Sequence, residues 1–234
     1  MATSYGPYAD HAPVVTPGVS IDLSQPAGST LDPRLASRIS CRSFGDHPVG
    51  TRELGAILHS AYGELGPATT NGIDFIHRPV PSAGARYPLK LFVLAKHVAE
   101  LQTGVYGYDI ESASLTMVGE RPDDDVIASI FLDQPYVCNA PAIIVIAGHL
   151  ALTLEKYGSR GYRYVLFEAG HLGQNITLGA VGLGMSSLPI GGFLDGELAT
   201  VIGEDPRVCP PLYGFALGYP SSSDPTIART IPTN

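Results

Sequence analysis

The chain has 234 residues, of which 44% are apolar and 15% charged, with a formal net charge of -8. This composition supports a folded core and excludes a disordered chain. The acidic balance argues against nucleic acid as a partner. The low charged fraction suggests that a second subunit covers part of the surface.

The three cysteines are far apart and form no CxxC pair, so neither a disulfide framework nor a zinc site is expected. The histidines show no ligand spacing either, and no metal is predicted. No signal-peptide pattern is present, and no apolar run is long enough to span a bilayer. We therefore expect a cytoplasmic protein with no membrane partner.

Residues 1–30 are rich in Pro, Ser, Thr and Gly and are predicted to form an irregular arm, followed by one domain over residues 31–234. Apolar periodicity and capping residues predict the elements of that domain. The predicted helices are 33–38, 51–65, one beginning at 123–125, 162–184 and 195–203. The predicted buried strands are 89–95, 142–147 and 212–217, with a hairpin over 106–118.

The helix predicted over 162–184 contains Gly170, Gly173, Gly179 and Gly182. Each glycine inside a helix costs about 1 kcal/mol relative to alanine. Four of them predict that something packs very close to this backbone, as in a central helix or a dimer interface. His171 on the same helix is expected to be a buried core group.

Two segments have the composition of an anion site and of a flat-ligand site. In an extended segment, Arg38, Ser40 and Arg42 share one side, and paired guanidiniums suit a phosphate. A solvated basic turn fits that spacing equally well. The small residues of 81–84 precede a buried strand and would let a flat ligand approach the backbone, although a plain turn is the commoner meaning.

Two further segments flank the ends of the long helix. Lys156 and Tyr157 are adjacent, and either one is a candidate general base, with a charged solvated loop as the alternative. After the helix, the amides of residues 190–192 are candidate donors to a ligand edge, with a Gly-capped helix end as the alternative. The chain lacks GxSxG, GxxxxGK[ST] and GxGxxG, which argues against hydrolase, nucleotide-triphosphatase and Rossmann dehydrogenase activities.

Taken in order, these segments resemble the nitroreductase-like flavoprotein superfamily, and within it the SagB-type dehydrogenases that include azoline oxidases. The resemblance runs from about Arg34 to Pro220. The matching motifs are Arg38-x-Ser40-x-Arg42-x-Phe44, Pro81-Ser82-Ala83-Gly84, Lys156-Tyr157-Gly158-x-Arg160-Gly161-Tyr162-Arg163, Glu168-x-Gly170-His171, Gln174-Asn175, Gly191-x-Phe193-x-Asp195, Pro211-Leu212-Tyr213 and Gly218-Tyr219-Pro220.

The resemblance implies an α+β nitroreductase-like fold: a central mixed, mainly antiparallel sheet flanked by helices, in an intertwined homodimer with two FMN sites at its interface. It also implies a role for each candidate residue. Arg38, Ser40 and Arg42 would hold the FMN phosphate, with Arg229 as a late phosphate contact; Pro81, Ser82, Ala83 and Gly84 would line the isoalloxazine ring; Ile190, Gly191 and Gly192 would approach its N5 side; Lys156 and Tyr157 would be catalytic.

The implied reaction is FMN-dependent oxidation of a thiazoline or oxazoline to a thiazole or oxazole, with dioxygen as the expected electron acceptor. The chain shows no recognisable leader-peptide-binding domain. A peptide-borne or carrier-protein-bound substrate is therefore expected to come through a cyclodehydratase or synthetase partner. An NAD(P)H-dependent nitro or quinone reductase and an inactive flavin-binding scaffold remain as alternatives, and the Lys156–Tyr157 pair favours the oxidase.

Overall fold

The computed structural model of the chain describes residues 32–70 and 72–222. The predicted N-terminal arm and Arg229 lie outside these residues, and the division into an arm and a domain stays a prediction. The helices are α1 (Pro33–Ser37), α2 (Thr51–Tyr62), α3 (Asp124–Ile130), α4 (Pro135–Cys138), α5 (Ala151–Tyr157), α6 (Arg160–Gly182) and α7 (Asp195–Val201). The strands are β1 (Gly66–Thr70), β2 (Ile73–His77), β3 (Leu89–Ala95), β4 (Gly104–Asp109), β5 (Ser114–Gly119), β6 (Ala142–Gly148), β7 (Ser186–Ile190) and β8 (Pro211–Gly218).

A six-stranded sheet in the order β5-β4-β3-β6-β8-β7 forms the centre of the fold, and β1 and β2 make a separate hairpin. Each pair of neighbouring strands in the described residues is antiparallel. Parallel contacts occur as the isolated bridges Ser40–Ser187 and Val49–Val98. The predicted α+β class with a mainly antiparallel sheet is confirmed.

Helices cover both faces of the sheet, which explains why its central strands are almost continuously apolar. On β3, Leu91 and Val93 pack on one side with residues of α2 and α6. Phe92 and Leu94 pack on the other side with residues of α3 and α7. Both predicted central strands, β3 and β6, are therefore buried on their two faces.

The long helix α6 lies across the α2 face of the sheet. Gly173 has the close neighbour that the glycine pattern predicts, since a Cβ there would lie 2.4 Å from Phe215 Cζ. Gly170 is different, because a Cβ there would meet nothing within 4 Å. The prediction for His171 was wrong: its side chain is exposed, because the buried stripe of α6 runs through Ala169 and Leu172 on either side of it.

The sequence-based expectations do not include the β1–β2 hairpin, helices α4 and α5 or strand β7. Strand β7 contains Ser186, Ser187 and Pro189, which are typical of a loop. Proline is tolerated there because β7 is an edge strand of the sheet. Ile190 is therefore the last residue of a strand and not part of a loop.

Candidate functional site

The two candidate catalytic residues, Lys156 and Tyr157, occupy the last turn of α5. The helix ends at Tyr157 because Gly158 takes a left-handed conformation (φ 57°), and its N–H donates to Leu154 O at 2.7 Å. Lys156 Nζ lies 5.4 Å from the centroid of the Tyr157 ring. The two side chains thus lie side by side at the end of a rigid element.

Both side chains point to Gly84 in the predicted ring-binding segment. A Cβ built at Gly84 would lie 2.7 Å from Lys156 Nζ and 2.8 Å from Tyr157 Oη. Gly84 also has a left-handed backbone (φ 64°) that favours glycine. The structure therefore brings together two segments that are more than seventy positions apart in the sequence.

A cavity of about 660 Å³ opens between this turn and the β1–β2 hairpin. Its size is typical of small-molecule sites, which range from about 300 to 1,000 Å³. Pro81, Ser82 and Gly84 form one wall, and Lys156 contributes a cationic group. The described residues that line it include no carboxylate, so the cavity suits a neutral or electron-rich ligand.

A buried polar network supports this turn from behind. The Glu168 side chain is 2% exposed on α6 and accepts a hydrogen bond from Tyr62 Oη at 2.6 Å, and the Ser82 hydroxyl is a second polar neighbour that favours its charged form. Burial raises the pKa of Glu168 above its usual value, and it also raises the pKa of Tyr62. Arg78 stacks between two aromatic rings, 4.9 Å from the centroid of Tyr62 and 4.7 Å from that of Tyr87.

Sequence reasoning missed most of this network. In the sequence, Glu168 is part of a family-like motif, and a carboxylate on the apolar stripe of a helix is a signal in itself. Tyr62 and Arg78 carry no such signal. Their positions become informative only when α2 and the segment before β3 are packed against α6.

Lys156, Tyr157 and the Pro81–Gly84 turn form one cluster of candidate residues. A second cluster, which contains Arg38, Ser40 and Arg42, lies where the chain passes along β7. Ser40 forms the parallel bridge to Ser187, and Cys41 N–H donates to Ser187 O at 3.2 Å. Cys41 is buried and Arg42 is exposed, as the predicted alternation requires. Among residues 32–70 and 72–222, neither Arg38 nor Arg42 forms an ion pair with a carboxylate.

The segment Ile190–Gly192 belongs to this second cluster. Ile190 is three residues along β7 from Ser187, the partner of Ser40. Gly192 O accepts a hydrogen bond from Gln134 Nε2 at 3.2 Å, and a Cβ at Gly191 would meet nothing within 4 Å. The backbone at Gly191 is therefore open to approach by a ligand.

The strand register separates the two clusters within one chain. Ser40 bridges Ser187, and the row of paired residues continues across the sheet through Ser187–Leu217, Leu217–Ala142 and Ala142–Ala95. Ser40 therefore lies in the same row as Ala95, at one end of β3. The Pro81–Gly84 turn enters β3 at its other end. Four strand spacings separate β3 from the Ser40 segment, which is about 19 Å across the sheet. Six residues separate the two ends of β3, which is about 20 Å along the sheet. The register therefore places the two clusters far apart within one chain.

No group of His, Cys, Asp or Glu side chains in the described part of the chain could hold a metal ion. Within the same residues, no helix combines the length and the apolar character needed to cross a membrane.

The sequence model of the nitroreductase family matches residues 35–219. The chain belongs to the nitroreductase family. This confirms the resemblance drawn from the ordered motifs, and proteins of the family generally bind flavin. The family assignment also makes the chain an oxidoreductase by relationship.

Two proteins show what kinds of relatives this chain has. MJ1384 of Methanocaldococcus jannaschii, which carries the name nitroreductase, is 36% identical over 172 residues, covering 74% of this chain and 83% of that protein. The microcin B17-processing protein McbC of Escherichia coli is 29% identical over 174 residues, covering 70% of this chain and 60% of McbC.

Solved structures show the same fold. The E. coli microcin synthetase McbBCD complex, with truncated pro-MccB17 bound, matches with a TM-score of 0.72 and 24% identity over 93% of this chain and 80% of that one. A nitroreductase from Anabaena variabilis matches with a TM-score of 0.65 and 24% identity, over 71% of this chain. This chain spans 34% of the Anabaena protein and 60% of McbC.

Proposed function

We propose that the chain is an FMN-dependent oxidase that converts a peptide-borne or carrier-bound thiazoline or oxazoline to the corresponding azole. The observation that carries this proposal is the convergence of Lys156 Nζ and Tyr157 Oη on Gly84, beside a cavity of about 660 Å³. A proton acceptor is thereby placed at the segment where the resemblance puts the flavin ring.

The residues of the two clusters fit an FMN molecule. Arg38 and Arg42 have no carboxylate partner among the described residues and are available to a phosphate, which guanidinium groups bind through paired hydrogen bonds. Gly84 is exposed, and beside the Lys156 and Tyr157 side chains its backbone remains open to close approach of a flat ring. Arg229, the remaining candidate phosphate contact, lies outside the described residues.

The separation of the clusters supports a homodimer in which each site takes one cluster from each copy. The outer side of α6 offers a surface for the second copy: Tyr162 is 47% exposed, Leu166 40% and Phe167 57%. Gly170 lies on the same side with open space at its Cβ position. Exposed apolar residues on one face of a long helix are typical of an interface.

The proposed chemistry needs one proton acceptor and one hydride acceptor. The ring C–H of an azoline next to the imine nitrogen and the carbonyl is acidic for carbon, and Lys156 or Tyr157 takes that proton. FMN held by Arg38 and Arg42 would supply the acceptor for the hydride from the neighbouring carbon, with dioxygen as the final acceptor of the electron pair. The rigid end of α5 and the Gly84 turn keep the proton acceptor close to where the substrate must lie.

The relationship to McbC supports a peptide substrate and a synthetase partner. McbC processes microcin B17, and the solved McbBCD complex contains a bound precursor peptide. By analogy, this chain would act on a heterocyclised peptide inside, or delivered by, a synthetase assembly.

Mass spectrometry of a heterocyclised peptide incubated with the FMN-loaded protein in air tests the proposal. We expect a loss of about 2 Da per ring, since one proton and one hydride leave the substrate. An unchanged peptide mass with a fully flavin-loaded protein and its synthetase partner would contradict the oxidase assignment.

A second candidate is an NAD(P)H-dependent nitro or quinone reductase, which is favoured by the 36% identity to MJ1384. Stopped-flow mixing with NADPH separates the two functions. Fast bleaching of the flavin absorbance followed by nitro-compound reduction supports the reductase, whereas slow bleaching with azole formation supports the oxidase. The third alternative, an inactive scaffold, predicts that Lys156→Ala and Tyr157→Phe leave azole formation by the complex unchanged.

A further inference from the structure

The segment from Ser82 to Leu89 has an unusual backbone. Gly84 (φ 64°), Ala85 (φ 52°) and Tyr87 (φ 45°) are all left-handed within four positions. For residues with a Cβ this conformation is unfavourable and persists only where the surroundings enforce it. Some contact outside the segment must therefore hold its shape.

The contacts that hold both ends of this segment lead to one carboxylate. At the start, the Ser82 hydroxyl is a polar neighbour of Glu168 that favours its charged form, and it accepts a hydrogen bond from Tyr87 N–H at 2.8 Å. At the end, Tyr62 Oη donates to Glu168 at 2.6 Å and accepts a hydrogen bond from Leu89 N–H at 3.2 Å. Each hydroxyl thus links Glu168 to one backbone amide of the segment.

We infer that Glu168 is a positioning residue, which through the hydroxyls of Ser82 and Tyr62 clamps the strained 82–89 segment against Lys156 and Tyr157. Its side chain is not among the groups that line the cavity, so it acts through the segment and not on the substrate. The inference rests on the proposed role of the Lys156–Tyr157 pair in catalysis. The clamp itself depends only on the contacts described above.

Two features of Glu168 support its role as a positioning residue. A carboxylate that is 2% exposed has lost almost all of its hydration, which is unfavourable unless its hydrogen bonds are retained. An apolar residue at position 168 would continue the buried stripe formed by Val165, Ala169 and Leu172 without that cost. The packing of α6 therefore does not require a carboxylate, whereas the 82–89 segment does.

Residue-resolved hydrogen exchange on the full chain tests the clamp without any azoline substrate. In Glu168→Leu we expect the amides of Tyr87 and Leu89 to exchange about tenfold faster or more than in the wild type, as expected for losing hydrogen bonds to a charged group. Glu168→Gln, which keeps one acceptor oxygen, should restore part of the protection. Equal protection in the wild type and Glu168→Leu would overturn the inference.

The matched control is Thr177→Val. Thr177 is also a buried polar residue of α6, but its hydroxyl contacts Gly173 O and the Ser187 hydroxyl, away from the segment. This variant should lower the melting temperature without loosening Tyr87 and Leu89 selectively. If it loosens the two amides as much as Glu168→Leu does, the effect is general destabilisation and the clamp is rejected.

Two further variants keep the test decisive if Glu168→Leu fails to fold. Ser82→Ala should speed exchange mainly at Tyr87, and Tyr62→Phe mainly at Leu89; unchanged exchange in both would overturn the inference. With an active complex, Glu168→Gln should lower kcat while KM stays close to the wild-type value. If the wild type forms no azole but the exchange pattern appears, the proposed function fails and the clamp stands.

Discussion

Arg38 and Arg42 are the residues on which cofactor binding is expected to depend most. A charge-assisted hydrogen bond contributes about 1.5–3 kcal/mol. The double variant Arg38→Ala/Arg42→Ala should therefore raise the FMN dissociation constant by at least about 100-fold. Flavin absorbance per polypeptide after gel filtration measures this.

The matched control for that variant replaces two exposed arginines outside the segment, Arg52 and Arg207, with alanine. It should retain the flavin. Stoichiometric flavin in the Arg38→Ala/Arg42→Ala protein would show that the phosphate is held elsewhere.

Lys156 and Tyr157 are expected to act in turnover and not in holding the cofactor. Lys156→Ala and Tyr157→Phe should each keep the flavin, and at least one should lower azole formation by about 100-fold or more, the usual contribution of a general base. Flavin content and the rate of the 2-Da mass loss are measured on the same sample. Loss of the flavin itself would assign Lys156 to cofactor binding instead.

Glu168 makes a prediction for stability against pH. Burial raises the pKa of Glu168 in the folded chain above the reference value of 4.5. Between that pH and the raised pKa, the unfolded chain has released a proton that the folded chain still keeps. The free energy of unfolding should fall as pH rises from about 4.5 toward the raised pKa, and Glu168→Gln should lack this component.

Urea unfolding at a series of pH values, taken as the difference between the wild type and Glu168→Gln, isolates this component. The difference curve should slope downward in that window and level off above the raised pKa. A flat or rising curve would mean that the folded protein does not disfavour the Glu168 carboxylate.

For single residues, the sequence is informative where the local backbone alone determines which side chains are exposed and which are buried. The alternation that exposes Arg42 and buries Cys41 follows from the extended backbone alone. The close neighbours of Gly84 could not be predicted, because Lys156 and Tyr157 reach it only through the packing of α5 beside the start of β3. Glu168, Tyr62 and Ser82 also meet only after three separate elements are assembled.

Among the helices and strands, α6 is the element on which the proposed dimer depends. Its inner side packs on the sheet through Gly173, while Tyr162, Leu166, Phe167 and Gly170 lie on the outer side. Phe167→Glu should therefore weaken the proposed dimer by about tenfold or more, because a charge would be buried without a partner. The mass from multi-angle light scattering and the flavin content should change together, since each proposed site needs both copies.

Val126→Glu on α3 is the control for Phe167→Glu. Val126 is 49% exposed, close to the 57% of Phe167, but it lies on the other side of the sheet. This control should leave both mass and flavin content unchanged. A Phe167→Glu protein that retains wild-type mass and flavin would exclude the outer side of α6 as the interface.

Periodicity in the sequence predicted the long helix, the buried strands β3 and β6 and the last strand β8. It failed at the β1–β2 hairpin, at α4, at α5 and at β7, where short polar or proline-containing stretches carry little apolar pattern. These elements are stabilised by strand pairing and by packing against neighbouring elements. Such tertiary contacts leave no periodic pattern in the local sequence. The hairpin and α5 form part of the candidate site, so the sequence indicated its residues without the elements that position them.

In the proposed dimer, each active site combines Arg38 and Arg42 of one copy with Lys156 and Tyr157 of the other. The separation of about 19 Å across and about 20 Å along the sheet rests on the strand register. Such a shared site is a strong constraint on how two copies assemble, because each copy then contributes to both sites of a symmetric dimer.

Mixing two inactive variants tests this claim most directly. Arg38→Ala/Arg42→Ala protein and Lys156→Ala protein are unfolded or dissociated together, reassembled in equal amounts with FMN, and assayed by the 2-Da mass loss. Half of the dimers are then mixed, and each has one site with both clusters intact, so about one quarter of the wild-type activity should return. No recovery, in a sample where mixed dimers are shown to form and the wild type is active, would contradict the shared site.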